Sequence, residues 1–359
     1  MDMLWTEERP RDVKYAGVED MYDDALAVRQ GSRTNVVTTG GLQVRVHGSE
    51  LSWAFREVPA FSYDLTRWSA RQLCTMMGVP FDFAAWMVQS GVAGAQLMGA
   101  AFQYTALTRE DKSLLAYLST MENKVMAFNG TGYGRIYNAT VLEKIIEMRA
   151  ANPQWTLPYD AASDVRAALE ARKYALTMSE HDMFVFLIHG EPLRVMDRNY
   201  YRGITVWNSE VGAKSLGISQ FLYCEGCANR LILPGVFGVS ARIVHRLSAP
   251  ERFLSEGVDI LNQLAASDPG PAVAALHKAR ELRVAEDRKG AVDFLRANGL
   301  GMLVAEQAAD IGAGENGGDY TTLLSLLDGV TRNSQRSGFT DHRMVEDTIA
   351  GKLLVKYAA

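Results

Sequence analysis

The chain is 359 residues long, 48% hydrophobic and 22% charged, with a formal net charge of -5. This composition excludes a disordered chain and a membrane-saturated one, and the acidic balance means that any nucleic-acid contact must come from a local basic surface. Three cysteines in such a length do not make a disulfide framework; they point to a reducing compartment, the cytoplasm by default. The opening MDMLWTEERPRDVKY has early acids and no apolar core, so neither a secretory signal nor a transit peptide is expected.

In chain order, a short helix is expected over Met21 to Arg29. Val36 to Thr38 and Leu42 to Val46, flanking Gly40-Gly41, read as a hairpin, and a strand follows at Trp53 to Val58. Thr66 is a candidate N-cap for a helix ending at Gly78-Val79-Pro80. Helices are expected over Phe81 to Ser119. Within them Phe83 to Thr108 carries no charged residue and has the length of a bilayer span, yet its glutamines and glycines favour a pair of buried helices broken near Ser90-Gly91. A strand, Lys124 to Phe128, then enters the turn Gly130-Thr131-Gly132-Tyr133-Gly134.

A helix from Asn138 to about Ala150 carries the Thr140-x-x-Glu143 spacing of a capping box. The proline-punctuated ANPQWTLPYD is the expected internal boundary. After a short helix, Asp164 to Arg172, β-type runs at Tyr174 to Met178, Met183 to Ile188, Gly203 to Trp207 and Leu216 to Ser219 read as an antiparallel sheet, because most of their connections are too short for helical crossovers. From Ala249 onward apolar residues recur at helical spacing. The chain is therefore expected to be α+β, a central antiparallel sheet flanked by helices with a helical C-terminal portion. It divides into an N-terminal α+β region (1–150), the sheet core (160–248) and the helical region (249–359).

Cys224-Glu225-Gly226-Cys227 raises three readings: metal knuckle, redox pair or packing. Zinc needs a second ligand pair and none is present; a redox pair needs an exposed thiol at a helix start. A helix beginning near Ser219 would put Cys224, Cys227 and Leu231 on one buried face, which favours packing. The GTGYG turn lacks the last glycine of a dinucleotide fingerprint and the Gly-Lys-Ser/Thr of a phosphate loop, so a tight turn is the favoured reading. Neither a metal nor a cofactor is expected.

Three segments resemble a known family. YGRIYNATVLEKI is similar to its Tyr-x-x-x-x-Asn-x-x-Val-Leu-Glu element. GITVWNSEVGAKSLGISQFLYCEGCANRLI resembles its NSE-x-G turn and Cys-Thr-Asn block, and TTLLSLLDGVTRNSQ with MVEDTIAGKLL resembles its C-terminal helical signature. The family is the phage- and plasmid-borne group called domain of unknown function 932, and the resemblance runs from about Phe61 to Leu354. Cys227-Ala228-Asn229-Arg230 departs from the family's Cys-Thr-Asn-Gly, and Asn129-Gly130-Thr131-Gly132 departs from its approach to the tyrosine.

The resemblance implies a mobile-element setting in a bacterial cytoplasm, without fixing a reaction. Strands followed by a helix between Tyr174 and Leu231 are broadly similar to the core of single-strand annealing recombinases, a fold-level analogy. The leading expectation is therefore a homo-oligomer that binds or anneals single-stranded DNA and spans no membrane, with Tyr133, Arg135, Lys214, Arg230 and Arg242 meeting bases and phosphates. Two alternatives stand beside it: a nucleic-acid or nucleotide enzyme whose polar centre is Asn208, Ser209, Glu210 and Asn229, and a non-catalytic protein acting on host or defence factors. The balance leans away from an enzyme.

Overall fold

The structure is a computed structural model that describes residues 9–160, 175–225, 229–233 and 240–359. The expected helix at Asp164 to Arg172 and Cys227 of the cysteine pair lie outside these residues. Among the described residues there are eleven α-helices and two sheets, so the α+β class holds.

The central sheet has nine strands: β1 (Val13–Lys14), β8 (Trp155–Thr156), β9 (Leu176–Met178), β10 (Met183–His189), β11 (Leu193–Val195), β12 (Arg198–Asn208), β13 (Leu216–Cys224), β14 (Arg230–Leu233) and β15 (Ala241–Ile243). Every pairing in it is antiparallel, and β10, β12 and β13 form its middle. Both faces are covered. By register Tyr200, Ile204, Val206, Leu222 and Cys224 project from one face and Phe221 and Tyr223 from the other, and all are buried. Ile204, Val206, Phe221 and Tyr223 belong to one core, which reaches both faces, with α1 (Val18–Gln30), α5 (Asn138–Ala151) and α6 (Ala249–Ala265). Tyr200, Leu222 and Cys224 face a second core built by α7 (Gly270–Glu281), α8 (Arg288–Ala297), α9 (Met302–Glu315), α10 (Leu323–Ser334) and α11 (Thr340–Ala358). The expected boundary near residue 150 does not separate two cores, since α1, α5 and β1 from the first part of the chain complete the central sheet and its first layer.

The double covering explains one misreading. A strand buried on both faces is a continuous apolar run and carries no period-2 signal, so SQFLYC resembles the start of a buried helix. It is the end of β13, which pairs antiparallel with β14, Tyr223 opposite Arg230. Cys224 is thus a buried strand residue in one core with Leu231 and Leu233, and the helix expected from about Ser219 is a strand.

The second sheet runs β2 (Ser32–Thr38), β6 (Ser113–Ser119), β7 (Lys124–Gly130), β5 (Val58–Leu65), β4 (Glu50–Phe55), β3 (Leu42–His47). β2 and β3 were expected to pair as a hairpin but occupy opposite edges, although only the 3₁₀ turn Thr39–Gly41 joins them. Six strands laid flat span roughly 24 Å, whereas a three-residue link reaches only about 13 Å, so the sheet must curl until its edges meet at that corner. Ser113–Ser119, expected as helix, is strand β6.

One face of this sheet packs on α2 (Arg67–Met77), α3 (Phe81–Gln89) and α4 (Val92–Thr108), through Ala116, Leu118 and Val125. Thr66 caps α2 through the Ser69 amide and Gly78 ends it, as expected from their identities. α3 and α4 break at Ser90-Gly91, also as expected, but they are not buried all round. Among the described residues no helix is long and apolar enough to cross a membrane.

In the C-terminal layer α9 and α10 cross at glycines. A Cβ on Gly329 would stand 2.0 Å from the Ala308 carbonyl oxygen, and one on Gly312 would stand 2.2 Å from that of Ser325. Gly314, on the same helix as Gly312, meets nothing within 4 Å. Gly329→Ala is therefore expected to force the helices apart and cost about 2 kcal/mol or more in urea unfolding. Gly314→Ala should stabilise by about 0.5 kcal/mol through the unfolded chain.

Candidate functional site

The motif Asn208-Ser209-Glu210-Val211-Gly212 closes β12 and is buried along its length except at Gly212. Gly212 has φ +86°, and a side chain there would also press on the Asn129 amide at 2.8 Å, so the turn requires glycine. The other residues each hold a different neighbour. The Asn208 amide donates to the Ile136 carbonyl and the Asn138 side-chain oxygen, both at 2.8 Å. Ser209 donates to the His181 carbonyl at 2.5 Å and accepts from the Ala213 amide. The Val211 carbonyl accepts from Trp68 Nε1 at 3.1 Å and Asn129 Nδ2 at 3.2 Å.

Glu210 is the centre. Its Oε2 accepts a 2.6 Å hydrogen bond from the Tyr117 hydroxyl on the curled sheet, and its Oε1 accepts one of 2.6 Å from the backbone amide of Asn138, the first residue of α5. The capping box expected of Thr140 and Glu143 is not what caps this helix. The helix start is buried, and a carboxylate 72 residues away satisfies the orphan amide there while meeting the positive end of the helix dipole. Burial pushes the Glu210 carboxyl above its ordinary pKa, while the Tyr117 hydroxyl, the Asn138 amide and the nearby Arg135 guanidinium pull it back. The same burial, with Glu210 beside it, pushes the Tyr117 phenol up, so that it stays a hydrogen-bond donor.

Of the residues nominated from sequence, the structure gathers Tyr133, Arg135, Asn208, Ser209 and Glu210. Arg135 is buried, donates to the Glu210 carbonyl at 2.6 Å and lies 3.5 Å over the Tyr117 ring. Tyr133 is half-buried, stacks on His245 at 5.1 Å and donates to the Ser209 carbonyl at 3.1 Å. Both are structural supports of the turn. Lys214 stands apart, 2.8 Å from Asp182 in a charge network with Asp341 and Arg9. Arg242 is exposed and donates to Ser215.

Arg230 and Asn229 are on the other side of the central sheet. Arg230 is 3% exposed, 3.7 Å over the Phe186 ring and 3.3 Å from the fully buried Asp347 of α11. The Asn229 side-chain oxygen accepts from Gln335 at 2.7 Å. Neither faces solvent, so Arg135 and Arg230 are not surface phosphate contacts; each cation is held inside by a partner distant in sequence.

Glu210 and Tyr117 form part of the wall of a cavity of about 310 Å³ between the two sheets. Its walls include Tyr15, Met121, Met126 and Met178 as apolar surface, and Asp24, Glu122, Glu180, His181 and Asn138 as polar groups; Arg11 and Lys124 are the cations among them. Burial and Arg9 lower the His181 imidazole to about 4, so it is neutral at physiological pH. Burial raises the Glu180 carboxyl. Nothing in the sequence points to Tyr117, Tyr15 or Glu180, because what unites them with Glu210 is the meeting of two sheets. Among the described residues no three His, Cys, Asp or Glu side chains converge as a metal site would require.

Compared with family models, with curated proteins and with solved structures, the chain matches none.

Because burial raises the Glu210 pKa, the folded chain holds that proton more tightly than the unfolded chain does. The group's contribution to stability is therefore most favourable at acid pH and declines as pH climbs from the ordinary value of 4.5 through the raised one. Glu210→Gln removes this decline. In paired thermal melts the variant should gain on the wild type as pH rises above the ordinary value of 4.5, and parallel profiles would show that the carboxyl is not held up by burial. Tyr117→Phe, which strands one carboxylate oxygen, should cost about 1–3 kcal/mol at neutral pH in urea unfolding.

Proposed function

We propose that the chain binds a small ligand in the inter-sheet cavity and that Glu210 is its acid–base and hydrogen-bonding centre. The observation that carries this reading is a buried carboxyl with a raised pKa on the wall of a cavity at the lower end of the ordinary ligand-site range of about 300–1,000 Å³. Each Glu210 oxygen accepts one hydrogen bond in the site and retains a lone pair for a donor on the ligand. A carboxyl whose pKa is raised in this way also holds its proton to higher pH than an exposed one and can act as an acid–base group.

The walls suggest the ligand class. Carboxylates outnumber cations among them, which disfavours a polyphosphate. Flat apolar surface from tyrosine and methionine beside acceptor groups suits a nucleobase or nucleoside that presents amino or ring N–H donors. Such a ligand agrees with the mobile-element DNA metabolism implied by the resemblance to the domain of unknown function 932 group. In support of that resemblance, its segments meet in space: the Tyr133–Asn138 element meets the NSE-x-G turn at Glu210, and the C-terminal helical signature meets Asn229 and Arg230 at Gln335 and Asp347.

Single-strand binding or annealing would need a surface other than the five residues first nominated for it. Arg135 and Arg230 are buried, Tyr133 and Lys214 are engaged in the fold, and only Arg242 stands exposed.

In thermal-shift titrations guanosine, adenosine or cytidine should raise the Tm of the wild type. Glu210→Gln, which keeps the shape but replaces an acceptor oxygen with a donor, should abolish the shift. A chain that ignores all three nucleosides but binds labelled oligonucleotides with a steep loss of affinity as salt rises would replace the cavity reading with the single-strand one.

A further inference from the structure

Among the described residues the outer face of α4 has no partner. Val92, Leu97, Tyr104 and Leu107 on it, with Phe83 and Trp86 on the adjoining α3, are each between 50 and 69% exposed. Not one charged residue occurs from Phe83 to Thr108. These six side chains alone present on the order of 700 Å² of largely apolar surface, above what monomers ordinarily leave in one patch and close to the roughly 800 Å² per partner of a stable interface.

We infer that this face is covered by a second copy of the same chain, α4 against α4 in antiparallel about a two-fold axis at Ala100. Two observations choose this occupant. The first is charge: an uncharged face meets its own copy without like-charge repulsion, and a two-fold contact must be self-complementary. The second is shape. A two-fold at Ala100 places each residue at 100 - n opposite the residue at 100 + n. The small Ala93 then meets the large Leu107 and the Gln96 amide meets the Tyr104 hydroxyl; Val92 lies opposite Thr108, Leu97 lies opposite the half-buried Gln103, and alanine meets alanine on the axis where the helices approach most closely. The neighbouring sheet edge is not the contact, because α4 has already closed it: Gln103 accepts from the Val44 amide at 3.0 Å and donates to the Leu42 carbonyl at 3.2 Å along edge strand β3.

Sedimentation velocity on the full chain tests this. The wild type should run as a dimer at about 50 µM, and Ala100→Glu, which sets two carboxylates against each other on the axis, should weaken dimerisation at least about a hundredfold while the far-ultraviolet circular dichroism stays unchanged. Ala93→Lys and Leu107→Glu should each weaken it, and the two together should restore at least about tenfold of the loss, because each lysine then faces a glutamate across the interface. A monomeric wild type, a dimer indifferent to Ala100→Glu, or a double variant no tighter than the single ones overturns the proposal. So does flotation of a monomeric wild type with phosphatidylcholine vesicles, which would assign the face to a lipid surface instead.

Discussion

The Glu210 carboxylate is the constraint on which the arrangement of the two sheets rests. Taking a carboxylate out of water costs several kcal/mol unless its oxygens are satisfied, and here a tyrosine of the curled sheet and the first amide of α5 satisfy them, while Arg135, bonded to the Glu210 backbone carbonyl, sets a positive charge beside them. None of the three can move without leaving the charge uncompensated. The orientation of α5 on the central sheet and the approach of the curled sheet to the NSE-x-G turn are therefore one problem with one solution. The surrounding motif serves the same end, with Asn208 bracing the approach to α5 and Gly212 allowing the chain to turn where a side chain would meet Asn129.

A second buried charge organises the opposite face. Arg230 on β14 and Asp347 on α11 fix the last helix against the sheet, with Arg343 also beside Asp347 and Ser334 donating to it at 2.5 Å. Gly351 on α11 lets the helix backbone come down onto the Ile232 carbonyl, where a Cβ would sit 1.7 Å away. Burial pushes the Asp347 carboxyl up, and the two guanidiniums oppose that. Breaking such a pair from one side leaves an uncompensated charge, so these charges specify how the helical layer docks more than they add to its stability.

How far the sequence could be read follows from the range of each interaction. Thr66 and Gly78 announce α2 because a cap and a C-terminal glycine act within one turn. The β-type runs at Met183 and Gly203 are legible because of their composition and short connections, and NSE-x-G stands out as unusual polarity at the end of a strand. What was not legible depends on partners far away in the chain. The β2 and β3 edges read as a hairpin because only the curling of six strands separates them, and β13 beyond Ser219 read as the start of a helix because burial on both faces erases alternation. Arg135 and Arg230 read as surface cations because exposure is the ordinary fate of arginine, and only Glu210, Asp347 and the Tyr117 and Phe186 rings overturn it. Asn138 was correctly placed at a helix start, but its cap comes from a different element.

The curled sheet also settles how the cavity and the apolar face relate. Alternate residues of β6 point to opposite sides: Ala116 and Leu118 into the core with α2 and α4, Tyr117 and Ser119 toward the central sheet and the cavity. The outer face of α4 is one layer further out on the first of these sides. A partner docked on α4 is therefore separated from Glu210 by a helix layer and a sheet, and an α4-paired dimer has both cavities facing away from the shared axis. The proposed ligand cavity and the proposed self-association face thus lie on opposite sides of the same sheet. A substitution at Ala100 leaves the geometry around Glu210 intact, and one at Glu210 leaves the apolar face as it is.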